Sequence, residues 1–178
     1  MKDFKILEKT KIKGLKVFLG EKKKDYRGFF QRVYCYKELS KFTKKKIAQS
    51  NLSFSKKKGT FRGMHFQVGK FSEDKIVTCI KGSILDIVLD VRKKNNFFSK
   101  KNVHTEILSE KNQKFILIPK GFAHGFQTLE NNTLVLYFHT NFFSKKNQKM
   151  INIENLKSLI QLPLKISSIS KRDKINEL

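Results

Sequence analysis

Residues 75–92 read KIVTCIKGSILDIVLDVR: two runs rich in β-branched residues, parted by Lys81-Gly82. Such runs favour extended backbone, and a glycine turn between them is the signature of a β-hairpin. In the second run Leu85, Ile87, Leu89 and Val91 fall on one face; Asp86 and Asp90 share the other with Ile84 and Val88. An aspartate turned into a barrel interior is costly without a partner. Asp86 therefore either has one or lies on a solvated face.

The pattern repeats outward in both directions. Residues 4–18 alternate loosely and read as one or two strands; 25–30 form a turn leading into a strand over 29–36. Residues 37–42 suit a short helix, and 49–54 a strand with polar residues on one face. GTFRGMHFQ, residues 59–67, alternates like a strand and carries Arg62 and His65 three positions apart. Further strand-like segments are 103–108, 114–118, 122–129 and 134–140. In the tail, Ile153, Leu156, Leu159 and Ile160 recur at helical spacing before Pro163. Many short strands with almost no helix predict an all-β sandwich or barrel, with residues 1–178 as one domain.

The composition agrees. The chain has 178 residues, 39% hydrophobic, with 17 Phe and no Trp, which is ample apolar material for two packed sheets. Cys35 and Cys79 are too few for a disulfide framework, and Cys79, inside an apolar strand pattern, reads as a small buried side chain in a reducing compartment. The first residues show no apolar run of signal-peptide length, and no window approaches the ~20 apolar residues that span a bilayer. The expectation is a soluble, cytoplasmic protein. A net charge of +24 invites a nucleic-acid reading. The lysines, however, lie in short scattered runs (22–24, 44–46, 56–58, 145–146), and no zinc-finger, RNP-like or helix-turn-helix pattern accompanies them. They read as solvated surface with attraction for a small anionic substrate.

Four histidines are present: His65, His104, His124 and His139. A metal-binding jelly roll usually presents His-x-His on one strand; here the position two after His65 is Gln67, which disfavours zinc or iron. No nucleophile elbow, P-loop or dinucleotide fingerprint is found. What remains is acid–base chemistry. A histidine titrates near neutrality and can remove a proton made acidic by a neighbouring carbonyl. Inverting that carbon needs a proton donor on the opposite face, and a tyrosine from another strand can serve. A lysine or second histidine near the carbonyl oxygen would stabilise the enolate. Whether the chain folds such groups onto opposing walls is left open by the composition.

At this point the residues resemble a family. GTFRGMHFQ, DIVLDVR, IPKGFAHGFQTL (118–129) and VLYFHT (135–140) occur in the order and near the spacing of the dTDP-4-dehydrorhamnose 3,5-epimerase family. DYRGFF (25–30), Gln49-x-Asn51 and ISKRD (169–173) also match, so the resemblance spans roughly residues 15–175. It implies a cupin-type jelly roll with short peripheral helices, a homodimer with strand exchange, and no cofactor or metal. It further implies action on nucleotide-diphosphate 4-keto-6-deoxy sugars, inverting C3 and C5, with an extracellular polysaccharide as the product's destination. By position, His65 is implied as the base, Asp173 as its orienting carboxylate, Tyr137 as the acid and Lys75 as the enolate stabiliser. Arg62 and His124 would line the sugar pocket, with Asp86 paired to His124. Arg27, Gln49, Asn51 and Arg172 would hold the diphosphate and nucleoside.

Singly, each residue has a plainer reading: a satisfied strand histidine, a core tyrosine, one lysine among many, an aspartate in a solvated tail. The chain also departs from the family's pattern. Phe142-Phe143 replaces a Tyr-Tyr pair, leaving ring stacking at Phe143 but no hydroxyls. Arg32 and Gln148 stand where the family has Glu, and Asn152-Ile153-Glu154-Asn155 replaces a Trp-containing segment. These positions surround the nucleotide end, so a GDP-linked 4-keto heptose, or inversion of C3 alone, also suits them. A sugar-nucleotide 3,4-ketoisomerase and a non-catalytic sugar-binding cupin are the competing readings.

Overall fold

The computed structural model describes residues 4–92 and 98–177. Within them the strands are β1 (Phe4–Lys9), β2 (Lys16–Gly20), β3 (Lys22–Asp25), β4 (Gly28–Gln31), β5 (Gln49–Ser55), β6 (Phe61–Gln67), β7 (Lys75–Lys81), β8 (Ser83–Asp90), β9 (Val103–Ser109), β10 (Lys114–Ile118), β11 (Phe122–Thr128), β12 (Thr133–His139) and β13 (Gln148–Met150). One short helix, α1 (Tyr36–Leu39), lies between β4 and β5. The strands form a six-stranded sheet of order β1-β2-β10-β7-β12-β5, a five-stranded sheet of order β13-β6-β11-β8-β9, and a β3–β4 ribbon. The two large sheets stack as an all-β, cupin-type jelly roll. Among the described residues no helix is long and apolar enough to cross a membrane.

The sequence expectation for residues 75–92 needs correcting. They form two strands, but not a hairpin. β7 pairs with β10 and β12 in one sheet, while β8 pairs with β11 and β9 in the other. Each is an inner strand with neighbours on both sides, so neither has an edge to offer the other. Gly82, at φ +74°, turns the corner between sheets, where a Cβ would come within 2.8 Å of Thr133 Oγ1. A local turn signal marks the reversal; it cannot say which sheet the chain enters next.

Both faces of each sheet are used. Val77, Cys79, Ile84, Val88, Ile116, Phe126 and Val135 pack between the sheets. The outer face of the five-stranded sheet carries Phe61, Ile87 and Leu89 and is covered by Ile151, Ile153, Leu156 and Ile160 from the tail. The outer face of the six-stranded sheet carries Phe18, Phe115 and Phe138 beneath Leu39 and Phe42. Asp86 does share the inner face with Ile84 and Val88, and is fully buried. Burial of this kind contributes roughly 1.5–3 kcal/mol for each large apolar side chain.

Two further expectations are adjusted. The tail is not α-helical: residues Ile153–Leu156 make a 3₁₀ turn, capped by the Asn152 side chain accepting from the Glu154 N–H. Ile153, Leu156 and Ile160 still bury on one side, but anchoring on the sheet and Pro163 close behind leave no run for regular i→i+4 bonding. The strand expected over 29–36 ends at Gln31, where its pairing with β3 ends.

Candidate active site

A cleft of about 390 Å³ opens between the two sheets. On the six-stranded sheet, strand register aligns Gln49, His139 and Lys75 in one row and Asn51, Tyr137 and Val77 in the next. On the facing sheet His65 of β6 and His124 of β11 are direct cross-strand partners. The tail adds Ser170, Arg172 and Asp173.

A bulge makes this possible. Arg62 and His65 are three residues apart, so regular alternation would put them on opposite faces. Against β11 the register passes from Arg62↔Phe126 to His65↔His124, three steps on β6 for two on β11. The extra residue returns both side chains to the cleft. Two glycines allow it. Gly63 has φ +124°, and a Cβ there would stand 2.4 Å from Gly125 Cα; a Cβ on Gly125 would stand 2.8 Å from the Arg62 carbonyl oxygen.

His65 Nε2 lies 2.8 Å from Asp173 Oδ1, leaving Nδ1 with no protein hydrogen bond among the described residues. Asp173 sits in the 3₁₀ turn Arg172–Lys174, and its Oδ2 accepts from the Gly63 N–H at 3.3 Å. Burial pushes its carboxyl up, but the His65 bond and charge, with the Gly63 and Ser170 bonds, outweigh that and hold it below the usual range. The second pair, His124 Nε2 to Asp86 Oδ2, spans 2.7 Å. It is sealed, with side chains 5% and 0% exposed, against 28% for His65. Asp86 Oδ1 is buried and makes no hydrogen bond among the described residues.

Tyr137 faces these histidines from the opposite sheet, its ring centroid 6.1 Å from that of His124, edge to face. Burial pushes its phenol far up and the Asp86 charge adds to this, while Arg62 and Ser53 pull the other way. The phenol is thus protonated at neutral pH. Lys75 is buried; its Nζ donates to the His65 carbonyl oxygen at 3.3 Å and lies 3.4 Å from Glu73 Oε1. Arg62 is held by Ser55 Oγ and the Phe54 carbonyl, and the Phe143 N–H donates to Gln49 Oε1 at the rim.

Of the residues singled out from sequence, Gln49, Asn51, Arg62, His65, Lys75, His124, Tyr137, Phe143, Arg172 and Asp173 line this one cleft. Arg27 does not. It stands at the tip of the β3–β4 ribbon, its side chain 73% exposed and paired with Asp25. Sequence reasoning missed Glu73, His139 and Gln67 as lining residues. Glu73 and His139 had a usable signal, since each lies two residues from a site residue, Lys75 and Tyr137. Gln67 follows His65 by two on β6 and ties the loops by bonds to Phe71, Phe142 and Ser144. Among the described residues no three His, Cys, Asp or Glu side chains cluster as a metal-ligand set.

Fold and cleft together are those of a cupin-type isomerase. A family model described as dTDP-4-dehydrorhamnose 3,5-epimerase matches residues 9–178, and the chain belongs to that family. A dTDP-4-dehydrorhamnose 3,5-epimerase from Shigella flexneri is 32% identical over 168 residues, 93% of this chain and 91% of that protein. Among solved structures, the Bacillus anthracis enzyme of the same name, with TDP and PPi bound, is 32% identical with a TM-score of 0.89, covering 98% of this chain and 99% of that one. A Legionella pneumophila dTDP-6-deoxy-D-glucose-3,5-epimerase, in complex with dTDP-4-keto-L-rhamnose, is 28% identical with a TM-score of 0.85, covering 96% and 89%.

Proposed function

We propose that the chain inverts C3 and C5 of a dTDP-linked 4-keto-6-deoxy hexose, removing and returning protons α to the C4 ketone. The observation that carries this is the opposition of His65, backed by Asp173, to Tyr137 across one cleft. His65 Nδ1 takes the proton from the sugar carbon, and the C–H electron pair passes into the enolate. Asp173 steadies the imidazolium so formed. The Lys75 ammonium stabilises the negative enolate oxygen. Tyr137 then gives its proton to the other face of the carbon: the O–H bond breaks, a new C–H bond forms, the phenolate is reprotonated from solvent, and the His65 imidazolium releases its proton to solvent before the next inversion. No cofactor enters these steps. The His124–Asp86 pair and Arg62 border the sugar, while Gln49, Asn51, Phe143 and Arg172 take the diphosphate and nucleoside.

The thymidine assignment draws on the ligands bound to the Bacillus anthracis and Legionella pneumophila relatives. Phe142-Phe143, Arg32 and Gln148 make a GDP-linked 4-keto heptose the alternative donor. The test is incubation in deuterated water with dTDP- and GDP-linked 4-keto sugars, followed by mass spectrometry and NMR. Deuterium at both C3 and C5 of the dTDP sugar is expected. Deuterium at C3 alone makes the enzyme a single-centre epimerase, and a preference for the GDP sugar overturns the base. No incorporation from any of them by folded protein overturns the epimerase mechanism in favour of a ketoisomerase or binding role.

A homodimer with strand exchange belongs to the same proposal. Tyr26, Phe29 and Phe30 on the β3–β4 ribbon and Leu52 and Phe54 on edge strand β5 are exposed, and Arg27 lies outside its own chain's cleft. A second copy would cover this apolar surface and receive Arg27. Light scattering should return twice the chain mass, and a monomer would remove Arg27 from the site. The setting is cytoplasmic synthesis of an activated sugar for surface polysaccharide.

A further inference from the structure

The cleft holds a third histidine–carboxylate pair to which the reaction above gives no task. His139 Nδ1 lies 3.0 Å from Glu73 Oε2, and the other oxygen of the same carboxylate lies 3.4 Å from Lys75 Nζ. The side chains are nearly enclosed: 12% exposed for His139, 6% for Glu73 and 11% for Lys75. His139 and Lys75 are cross-strand partners on β12 and β7, and Glu73 precedes Lys75 by two residues. The carboxylate is therefore gripped at one oxygen by each strand.

We propose that Glu73, braced by His139, is a positioning residue that keeps Lys75 charged and fixed in the cleft. The inference rests on the reading in which Lys75 faces the enolate oxygen, and gives that reading its missing counter-charge. A buried lysine tends to surrender its proton unless an opposite charge stands close by. Here burial pulls the Lys75 ammonium down, and Glu73 is the largest influence opposing it, ahead of Asp86. Burial raises the Glu73 carboxyl, but the His139 bond and the Lys75 charge prevail and keep it below its ordinary value, so it is ionised at neutral pH. The other carboxylates in and beside the cleft are committed elsewhere. Asp86 of β8 is bonded to His124, Asp173 of the tail to His65, and β6 presents the His65 carbonyl, which accepts from Nζ. The His139 bond holds the Glu73 carboxylate in the orientation that points its second oxygen at Lys75. The same ammonium bridges to the strand that carries the base, so Glu73 also sets the spacing between Lys75 and His65.

The test compares wild type with Glu73→Gln, which keeps a similar shape and loses the charge. Two quantities are read: the pH midpoint of the Lys75 ammonium by ¹⁵N NMR of Nζ, assigned by its loss in Lys75→Met, and the pH profile of deuterium exchange into the sugar. In Glu73→Gln the ammonium midpoint and the alkaline limb of kcat should both move to lower pH by about one unit or more, with KM little changed. His139→Gln should move both the same way by less, and Glu73→Asp should restore part of the loss. An unmoved Lys75 midpoint in folded Glu73→Gln overturns the proposal; if that variant does not fold, an unmoved midpoint in His139→Gln overturns it. The NMR reading needs no substrate. Wild type that exchanges no 4-keto sugar would overturn the reaction, while the Lys75 midpoint still decides whether Glu73 governs its charge.

Discussion

The two histidine–carboxylate pairs on β6, β11 and β8 have the same chemistry and opposite surroundings. His65 is 28% exposed and takes its carboxylate from a tail turn, whereas His124 is 5% exposed and takes its carboxylate from the adjacent strand of its own sheet. Proton transfer to a substrate needs access and a nitrogen free of protein bonds, and the half-open pair offers both. A sealed pair cannot exchange protons with solvent readily. It can hold a ring in place and supply a fixed charge, which is felt at Tyr137 across the cleft. In the proposed mechanism it is burial, not residue type, that separates the two roles.

The division can be broken by substitution. His65→Asn should lower exchange at the sugar carbons by about 10³-fold or more, with nucleotide binding retained by calorimetry; His124→Asn should lose far less. Equal losses would erase the distinction. Next in size is stability. Asp86→Ala strands His124 in the core and should cost about 3–5 kcal/mol in thermal or denaturant unfolding. Asp173→Ala, beside a half-open histidine, should cost about 1 kcal/mol while reducing turnover.

Tyr137→Phe should slow inversion by about 10²-fold while leaving proton removal faster than product formation, read as deuterium wash-in outrunning epimerised product. Unchanged turnover would eliminate Tyr137 as the acid. The smallest effect concerns pH. Because Asp173 is held below its unfolded value, its stabilisation is complete above about pH 4 and is lost as pH falls through the depressed folded value. In Asp173→Asn that part of the acid unfolding curve should flatten; an unchanged curve would mean that the pair adds nothing to stability.

The alternating runs made the strands legible, and the bounds of β5, β7, β9, β10, β11 and β12 lie within a residue or two of the expectation. The cleft residues were legible through motif order, because Arg-Gly-Met-His and Ala-His-Gly carry the glycines that the close approach of β6 and β11 requires. The strand spacing of Glu73 and His139 from Lys75 and Tyr137 does not by itself mark them as site residues, because a carboxylate near a lysine looks like surface charge and a lone strand histidine like a satisfied one until burial is known.

Local pattern in the chain determined an all-β protein, most of its strands and the face that Asp86 shares with Ile84 and Val88, and motif order supplied the acid–base residues. That the Asp86 face is the buried one was decided by the tertiary structure. Local pattern could not determine partners, since hydrogen-bonded pairing and burial depend on contacts distant in sequence. Three further outcomes therefore belong to the tertiary structure. Gly82 turns between sheets because β7 and β8 are each flanked already by other strands. Asp173 reaches His65 across 108 residues because the apolar tail packs along the outer face of the five-stranded sheet. Arg62 and His65 share a wall because the bulge at Gly63 adds one residue, and on a strand one residue reverses the face.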